Sequence, residues 1–256
     1  MIIIKLGGSV ITDKSKRAKY QKITQSLVKQ ISRGNKQTIL IHGAGSYGHP
    51  FAKKYSLDKG LFSKRQLKGF SVTHIKVREL NLKVTKTMVR AGMKPLSIPP
   101  LNILYCSSGV VSEFNSDLFR IALEKGFTPV TFGDVVIDKF RGCSICSGDM
   151  LAETLTKIFN PDKVIFVMDV DGLYWEDPNK PSAKLVRQAE ISDLGRISVD
   201  RQLVPDVTGG MKGKIDAIRS IAKYSEVILI NGKEPKRVYK AMVGEEFVGT
   251  RIRKVE

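Results

Sequence analysis

The chain has 256 residues, 42% of them hydrophobic and 27% charged, a length and balance that allow one large core or two closely joined lobes. Its 43 Lys and Arg against 25 Asp and Glu give a formal net charge of +18, which favours anionic partners: nucleic acid, an anionic membrane surface or phosphorylated small molecules. No apolar run approaches the roughly 18 residues of a membrane span, and three cysteines are too few for a disulfide framework in a chain of this size.

Met1-Ile2-Ile3-Ile4-Lys5 opens as a strand and lacks the basic-then-apolar layout of a signal peptide, so a cytoplasmic protein is expected. Ile2–Leu6 ends in Gly7-Gly8-Ser9. A basic cluster follows (Lys14, Lys16, Arg17, Lys19, Lys22) with Tyr20 as its aromatic, a poor match to the interleaved stacking residues of a nucleic-acid face. A polar helix leads to a second strand, Thr38–His42, which ends in Gly43-Ala44-Gly45. Further buried strands are predicted at Pro129–Phe132, Lys163–Met168 and Glu226–Ile230. Near-continuous apolar runs bounded by glycine, with helices between them, predict an α/β fold with a mostly parallel sheet covered on both faces. A soft lobe boundary is expected near Asp138–Gly142. Cys143-Ser144-Ile145-Cys146 has metal-knuckle or redox spacing, but it lacks a second pair or a nearby His and is read as structural.

In such sheets ligands bind at the carboxyl ends of the strands. Gly7-Gly8-Ser9, Gly43-Ala44-Gly45, Gly133-Asp134 and Asp169-Val170-Asp171-Gly172 all follow strands, which suggests one shared site. Gly43-Ala44-Gly45-Ser46-Tyr47-Gly48 matches G-x-G-x-x-G. A dinucleotide site, however, needs an acidic residue at a second strand end about 20 residues on. The chain has the basic stretch Phe62–Gln66 there, and a P-loop is absent. What survives is a set of glycine turns whose amides and helix dipoles suit phosphate groups. Thr208–Lys214 adds lysines among glycines. Phosphoryl transfer needs positive charge and alignment, with little covalent work from the protein. Lys5, Lys14, Lys212 and Lys214 are the available cations.

Taken together, Lys5–Thr12 with Asp13-Lys14, His42–His49, Phe132–Val135, Ser147–Asp149, Asp169–Tyr174 and Asp206–Lys214 resemble the amino acid kinase family, in its isopentenyl phosphate kinase branch. His49 after the second glycine loop points to the branch. The resemblance implies an open αβα sandwich in which residues 1–140 take the phosphoryl acceptor and residues 141–256 take ATP with Mg2+. It implies a kinase that phosphorylates isopentenyl phosphate in isoprenoid biosynthesis, acting as a homodimer without nucleic acid or membrane partners. Residue by residue, Lys5, Lys14 and Asp149 would be catalytic, Asp149 orienting the lysines. Ala44, Gly48, His49 and Gly148 would bind the acceptor. Lys5, Gly7, Gly8, Ser9, Gly45, Asp169, Gly209 and Lys212 would contact ATP, and no residue would ligate a metal directly. Phe70, Val77 and Phe132 are candidate walls for an isoprenoid tail, and Met168 stands where the family leads one to expect a small polar residue.

His42 is read as a structural strand-end residue and His74 as a helix-surface or pocket-wall residue. Two alternatives stay open at this point. One is a kinase of the same family acting on another small phosphate, phosphonate or carboxylate. The other is a non-catalytic basic protein that binds nucleic acid.

Overall fold

The computed structural model describes residues 1–177, 180, 182–196 and 210–254. The chain begins with β1 (Ile2–Leu6), the short α1 (Gly8–Ile11), α2 (Ile23–Gly34), β2 (Thr38–His42) and α3 (Gly45–Lys54). The long α4 (Lys64–Arg90) follows, then β3 (Pro95–Ser97), β4 (Leu104–Ser107), β5 (Val110–Phe114) and α5 (Asp117–Glu124). Next come β6 (Thr128–Phe132), β7 (Asp134–Asp138), β8 (Gly142–Cys146), α6 (Gly148–Phe159) and β9 (Lys163–Met168). The described chain ends with β10 (Gln188–Ala189), α7 (Gly210–Ile221), β11 (Glu226–Asn231), α8 (Arg237–Val243) and β12 (Gly249–Ile252).

Among the described residues the main sheet has eight strands in the order β10-β12-β11-β9-β1-β2-β6-β3. The run β11-β9-β1-β2-β6-β3 is parallel, and β12 joins β11 antiparallel. Alternation along the strands divides the core in two. Ile3, Ile39, Ile41, Val164, Phe166, Val227 and Leu229 face one way, against Leu151 and Leu155 of α6 and Ile215 and Ile218 of α7. Ile2, Ile4, Leu6, Leu40, Ile165, Val167 and Ile228 face the other way, against α2, α4 and α8. Full burial of each such side chain contributes about 1.5–3 kcal/mol, so a central strand apolar on both faces is stable only between two helical layers.

β1 lies at the middle of this sheet, with Lys5 in register with Ile41 on one side and Phe166 on the other. A lysine that closes such a strand is carried into the core. Lys5 is 8% exposed.

The sequence reading did not anticipate the smaller sheet of four strands, β5-β4-β7-β8. Its two hairpin tips are tied together by Asp138. This carboxylate accepts from the amides of Ser108, Gly109, Phe140 and Arg141 and from the Ser144 hydroxyl at 2.6–3.1 Å. Burial would raise its pKa, but these donors outweigh burial and hold it well below the usual carboxylate range. The 138–142 stretch is the tip of the β7–β8 hairpin, where Asp138 pairs with Gly142. Cys106, Cys143 and Cys146 are buried free thiols, with Cys143 and Cys146 on β8.

Candidate active site

The first two glycine loops pack backbone to backbone. A Cβ on Gly8 would lie 2.5 Å from the Gly45 amide nitrogen, and one on Gly43 would lie 2.7 Å from that of Gly8. Gly45 also has φ of +50°, which disfavours a side chain. The buried Thr12 hydroxyl fastens the contact: it donates to the Gly8 carbonyl at 2.7 Å and accepts from the Ser46 amide at 2.9 Å. Gly133 brings in the third loop, since its Cβ would meet the Gly148 amide at 3.2 Å and the Ala44 amide at 3.6 Å. The loops after β1, β2 and β6 therefore converge with the starts of α3 and α6. Helix starts present unpaired amides and positive potential, the setting that suits phosphate oxygens.

At this convergence stands a buried ion triad. Asp149, in the first turn of α6, has Lys5 Nζ 2.6 Å from Oδ1 and Lys214 Nζ 2.9 Å from Oδ2. Lys214 donates a hydrogen bond, whereas Lys5 approaches Oδ1 as an ion contact off the hydrogen-bond line. Both ammonium groups also lie over the Phe166 ring, at 5.9 and 5.5 Å from its centroid. Burial pulls the Lys5 pKa down to about 8, against the upward pull of Asp149 and with help from Lys214. Burial would raise Asp149, but Lys214 and Lys5 outweigh it and keep the carboxylate well below its usual range. Two cations are thus fixed side by side, with burial lowering the pKa of Lys5. Such a pair is set to meet further negative charge. Gly148 gives Lys5 room, its Cβ position lying 3.2 Å from Lys5 Cε.

The sequence reading had Asp149 orienting the catalytic lysines, which included Lys14. The structure pairs them otherwise: Asp149 holds Lys5 and Lys214, and Lys14 is held by Asp169 Oδ2 at 2.9 Å. Lys214 stands in the sequence as an available cation without a site role. Its helical phase was the missed signal, because Lys214 shares a face of α7 with the buried Ile218 and Ile221. Lys212, two residues earlier, is exposed. Asp169 begins the turn after β9. Asp171 in the same turn accepts from Asn231 and Arg237. Gly209 lies outside the described residues, as does the rest of its motif from Asp206 to Thr208.

On the side of α3 and α4, Gly48 lies against Val77, with its Cβ position 3.1 Å from Val77 Cγ2. His49 is half-buried in α3. His42 is fully buried and stacked on Phe132 at 5.2 Å. Its Nδ1–H donates to the Gly43 carbonyl and its Nε2 accepts from Asn81 Nδ2, which fixes the tautomer. Burial lowers its pKa to about 4, so it stays neutral and anchors the second glycine loop. His74 lines the α4 face beside Phe70 and bonds through Nδ1 to the buried Asp134 at 2.7 Å. The two are 60 residues apart, and their sequence spacing does not signal the contact.

The amino acid kinase family model matches residues 1–231. Across 98% of both chains, the sequence is 37% identical to an isopentenyl phosphate kinase of Methanothermobacter thermautotrophicus. It is 36% identical to that of Thermoplasma acidophilum, over 99% of this chain and 100% of the relative. Among solved structures, an isopentenyl phosphate kinase superposes with a TM-score of 0.86 at 32% identity, covering 98% of this chain and 100% of the other. The product complex of the T. acidophilum isopentenyl phosphate kinase gives 0.83 at 32% identity, with 99% and 100% covered. With these likenesses along its whole length, and two lysines locked on one carboxylate above its glycine loops, the chain belongs to the amino acid kinase family, in the isopentenyl phosphate kinase branch.

Proposed function

We propose that the protein transfers the γ-phosphoryl group of ATP to isopentenyl phosphate, giving isopentenyl diphosphate. The observation that carries this is the Lys5–Asp149–Lys214 triad at the converging glycine loops. Asp149 is locked on two cations and held ionised, so it is a poor general base. A phosphate acceptor needs none, because its own oxygen is already an anionic nucleophile. The site then works by alignment and by charge stabilisation of the moving group. Full-length likeness to isopentenyl phosphate kinases supports this acceptor over others.

In this reading Lys5 and the Gly8 and Ser9 amides hold the transferring phosphoryl group, with Gly7 tying the loop to β9 through its amide bond to Val167, and Lys14 stabilises the group's charge. Ala44, Gly45 and Gly48 offer amides to phosphates, and Gly148 lies against the acceptor. The side formed by residues 1–140 takes the acceptor, and residues 141–256, with Gly209 and Lys212, take the nucleotide. Magnesium brought in with ATP would supply neutralisation of phosphate charge. Asp149, Asp169 and Asp171 are each engaged by cationic side chains, a donor set that fits metal carried on the nucleotide's phosphates. A cytoplasmic location goes with the use of ATP. Among the described residues no helix is long and apolar enough to cross a membrane. Homodimer formation through α4 fits its outward stripe of Ile75, Leu82 and Val89, 56%, 54% and 61% exposed at seven-residue spacing; light scattering should then give twice the chain mass.

The direct test is ATP consumption with magnesium against isopentenyl phosphate, UMP, glutamate, N-acetylglutamate, carbamate and fosfomycin. Turnover with isopentenyl phosphate and close alkyl phosphates alone is expected, and turnover only with another compound would reassign the acceptor. His49→Ala is expected to raise the KM for isopentenyl phosphate about tenfold and to leave that for ATP unchanged, as for loss of a charge-assisted hydrogen bond to the acceptor's phosphate. An unchanged acceptor KM would remove His49 from that role.

Lys5 also sets a pH dependence. In the free enzyme kcat/KM should fall as pH rises through about 8, when Lys5 loses the charge that receives phosphate. Bound ATP favours the ammonium form, so the break in kcat should lie higher. Folding responds in the opposite sense. The folded pKa lies below the ordinary 10.5, so between about 8 and 10.5 the unfolded chain binds the extra proton and this group makes stability rise with pH. Rate profiles and thermal melts over that window check both signs.

A further inference from the structure

We propose that Asp169 is a positioning residue for Lys14, holding its ammonium group at the cleft where the phosphoryl group moves; this rests on the reading of Lys14 as charge-stabilising. Lys14 needs such a partner. Its side chain is 67% exposed, and an unpartnered lysine there would sample many rotamers. Its loop is well anchored: the Asp13 amide donates to the Lys19 carbonyl at 2.9 Å and the Ala18 amide to the Ser46 carbonyl at 3.1 Å. A bridge between Thr12 and Tyr20 closes the loop. The backbone is thus fixed while the long side chain is not.

Asp169 supplies the missing constraint from the end of β9, the strand beside β1. It follows β9 directly, its side chain is 28% exposed, and it takes a hydrogen bond from Lys14 Nζ at 2.9 Å. The first glycine loop is tied to the same strand by the Gly7 amide, which donates to the Val167 carbonyl at 2.8 Å. One carboxylate therefore joins the lysine loop to the end of β9, the strand to which the glycine loop is tied, across 155 residues of sequence. An ammonium has three donors. With one directed at Asp169 Oδ2, the others remain for phosphoryl oxygens, so carboxylate and substrate need not compete. An ion pair of this exposure adds little to stability, and its effect should appear in the rate rather than in folding.

The test compares kcat, the KM for ATP and the melting temperature of Asp169→Asn, Asp169→Glu, Lys14→Ala and the double variant Lys14→Ala/Asp169→Asn. Asp169→Asn is expected to lower kcat about tenfold, with the KM for ATP within about twofold and the melting temperature nearly unchanged, as for weakening one charge-assisted contact. Asp169→Glu should recover most of the loss. The double variant should be no slower than Lys14→Ala alone, because Asp169 acts through that lysine. Wild-type kcat in Asp169→Asn beside a crippled Lys14→Ala would overturn the positioning role alone. So would multiplicative losses in the double variant, or a raised KM for ATP at unchanged kcat, which would return Asp169 to nucleotide contact. Wild-type kcat in Lys14→Ala would overturn both this role and the reading of Lys14 beneath it.

Discussion

Asp149→Ala is expected to lower kcat by about three orders of magnitude at pH 7.5, the upper end of the roughly hundred- to thousandfold cost of losing one preorganised donor, because both lysines are disturbed but neither is removed. The variant leaves Lys5 and Lys214 facing each other without the anion between them. Lys5 already has its pKa lowered to about 8 by burial, and Asp149 is the partner that pulls it back up. Without that partner Lys5 sheds its proton, because a buried charge neutralises rather than remain unpaired. The site then loses a positive charge at the phosphoryl position and the fixed orientation of Lys214. This cause has its own signature. Lowering the pH should restore part of the lost rate as Lys5 regains its proton, whereas the wild-type enzyme gains nothing from acid. A kcat within about tenfold of wild type, or a loss that does not respond to pH, would sink the triad as the centre of catalysis.

The parts of this site that could be read from sequence are those whose chemistry is local. A strand that ends in glycine reads as a turn, and Ile2–Leu6, Thr38–His42 and Lys163–Met168 lie where their apolar runs place them. Pro129–Phe132 and Glu226–Ile230 each extend by one residue, to Thr128 and Asn231. Partner choice was not local. Nothing in the spacing of Lys5, Lys14, Lys212 and Lys214 tells which of them shares Asp149, and the register of β1 beside β9 decides it by setting Lys5 next to Phe166. The smaller sheet escaped for a different reason. β5 is exposed or half-buried along its whole length, and β4 alternates buried and exposed positions over only four residues, too short a run to mark a strand. Asp138 reads as a turn former, and its five donors come from three separate segments. His42 was legible as structural, since a histidine inside a buried strand must find internal partners, but Asn81 could not be named without the fold.

Lys14→Ala is expected to lower kcat by two to three orders of magnitude through a different route from Asp149→Ala. Lys14 is 67% exposed and paired with a partly exposed carboxylate, so its removal creates no buried unpaired charge among the described residues. Stability should hardly change, because exposed ion pairs contribute about 0–1 kcal/mol. The lost charge matters only when negative charge gathers on the moving phosphoryl group, so kcat and kcat/KM should fall together while both KM values stay within a fewfold. Acid should not rescue the rate, since Lys5 keeps Asp149 and its own charge. Lys14→Arg should retain part of the activity, because it keeps the charge but changes the donor geometry. A small loss in Lys14→Ala, below about fivefold, would place all the charge stabilisation in the buried triad and leave Lys14 as part of the basic surface. A large loss, with no rescue by acid and an unchanged melting temperature, would show that the site needs a second cation at the phosphoryl group besides the buried pair. The pair comes from the core, where burial fixes it in place, and the other cation from a surface loop, where a partner must hold it.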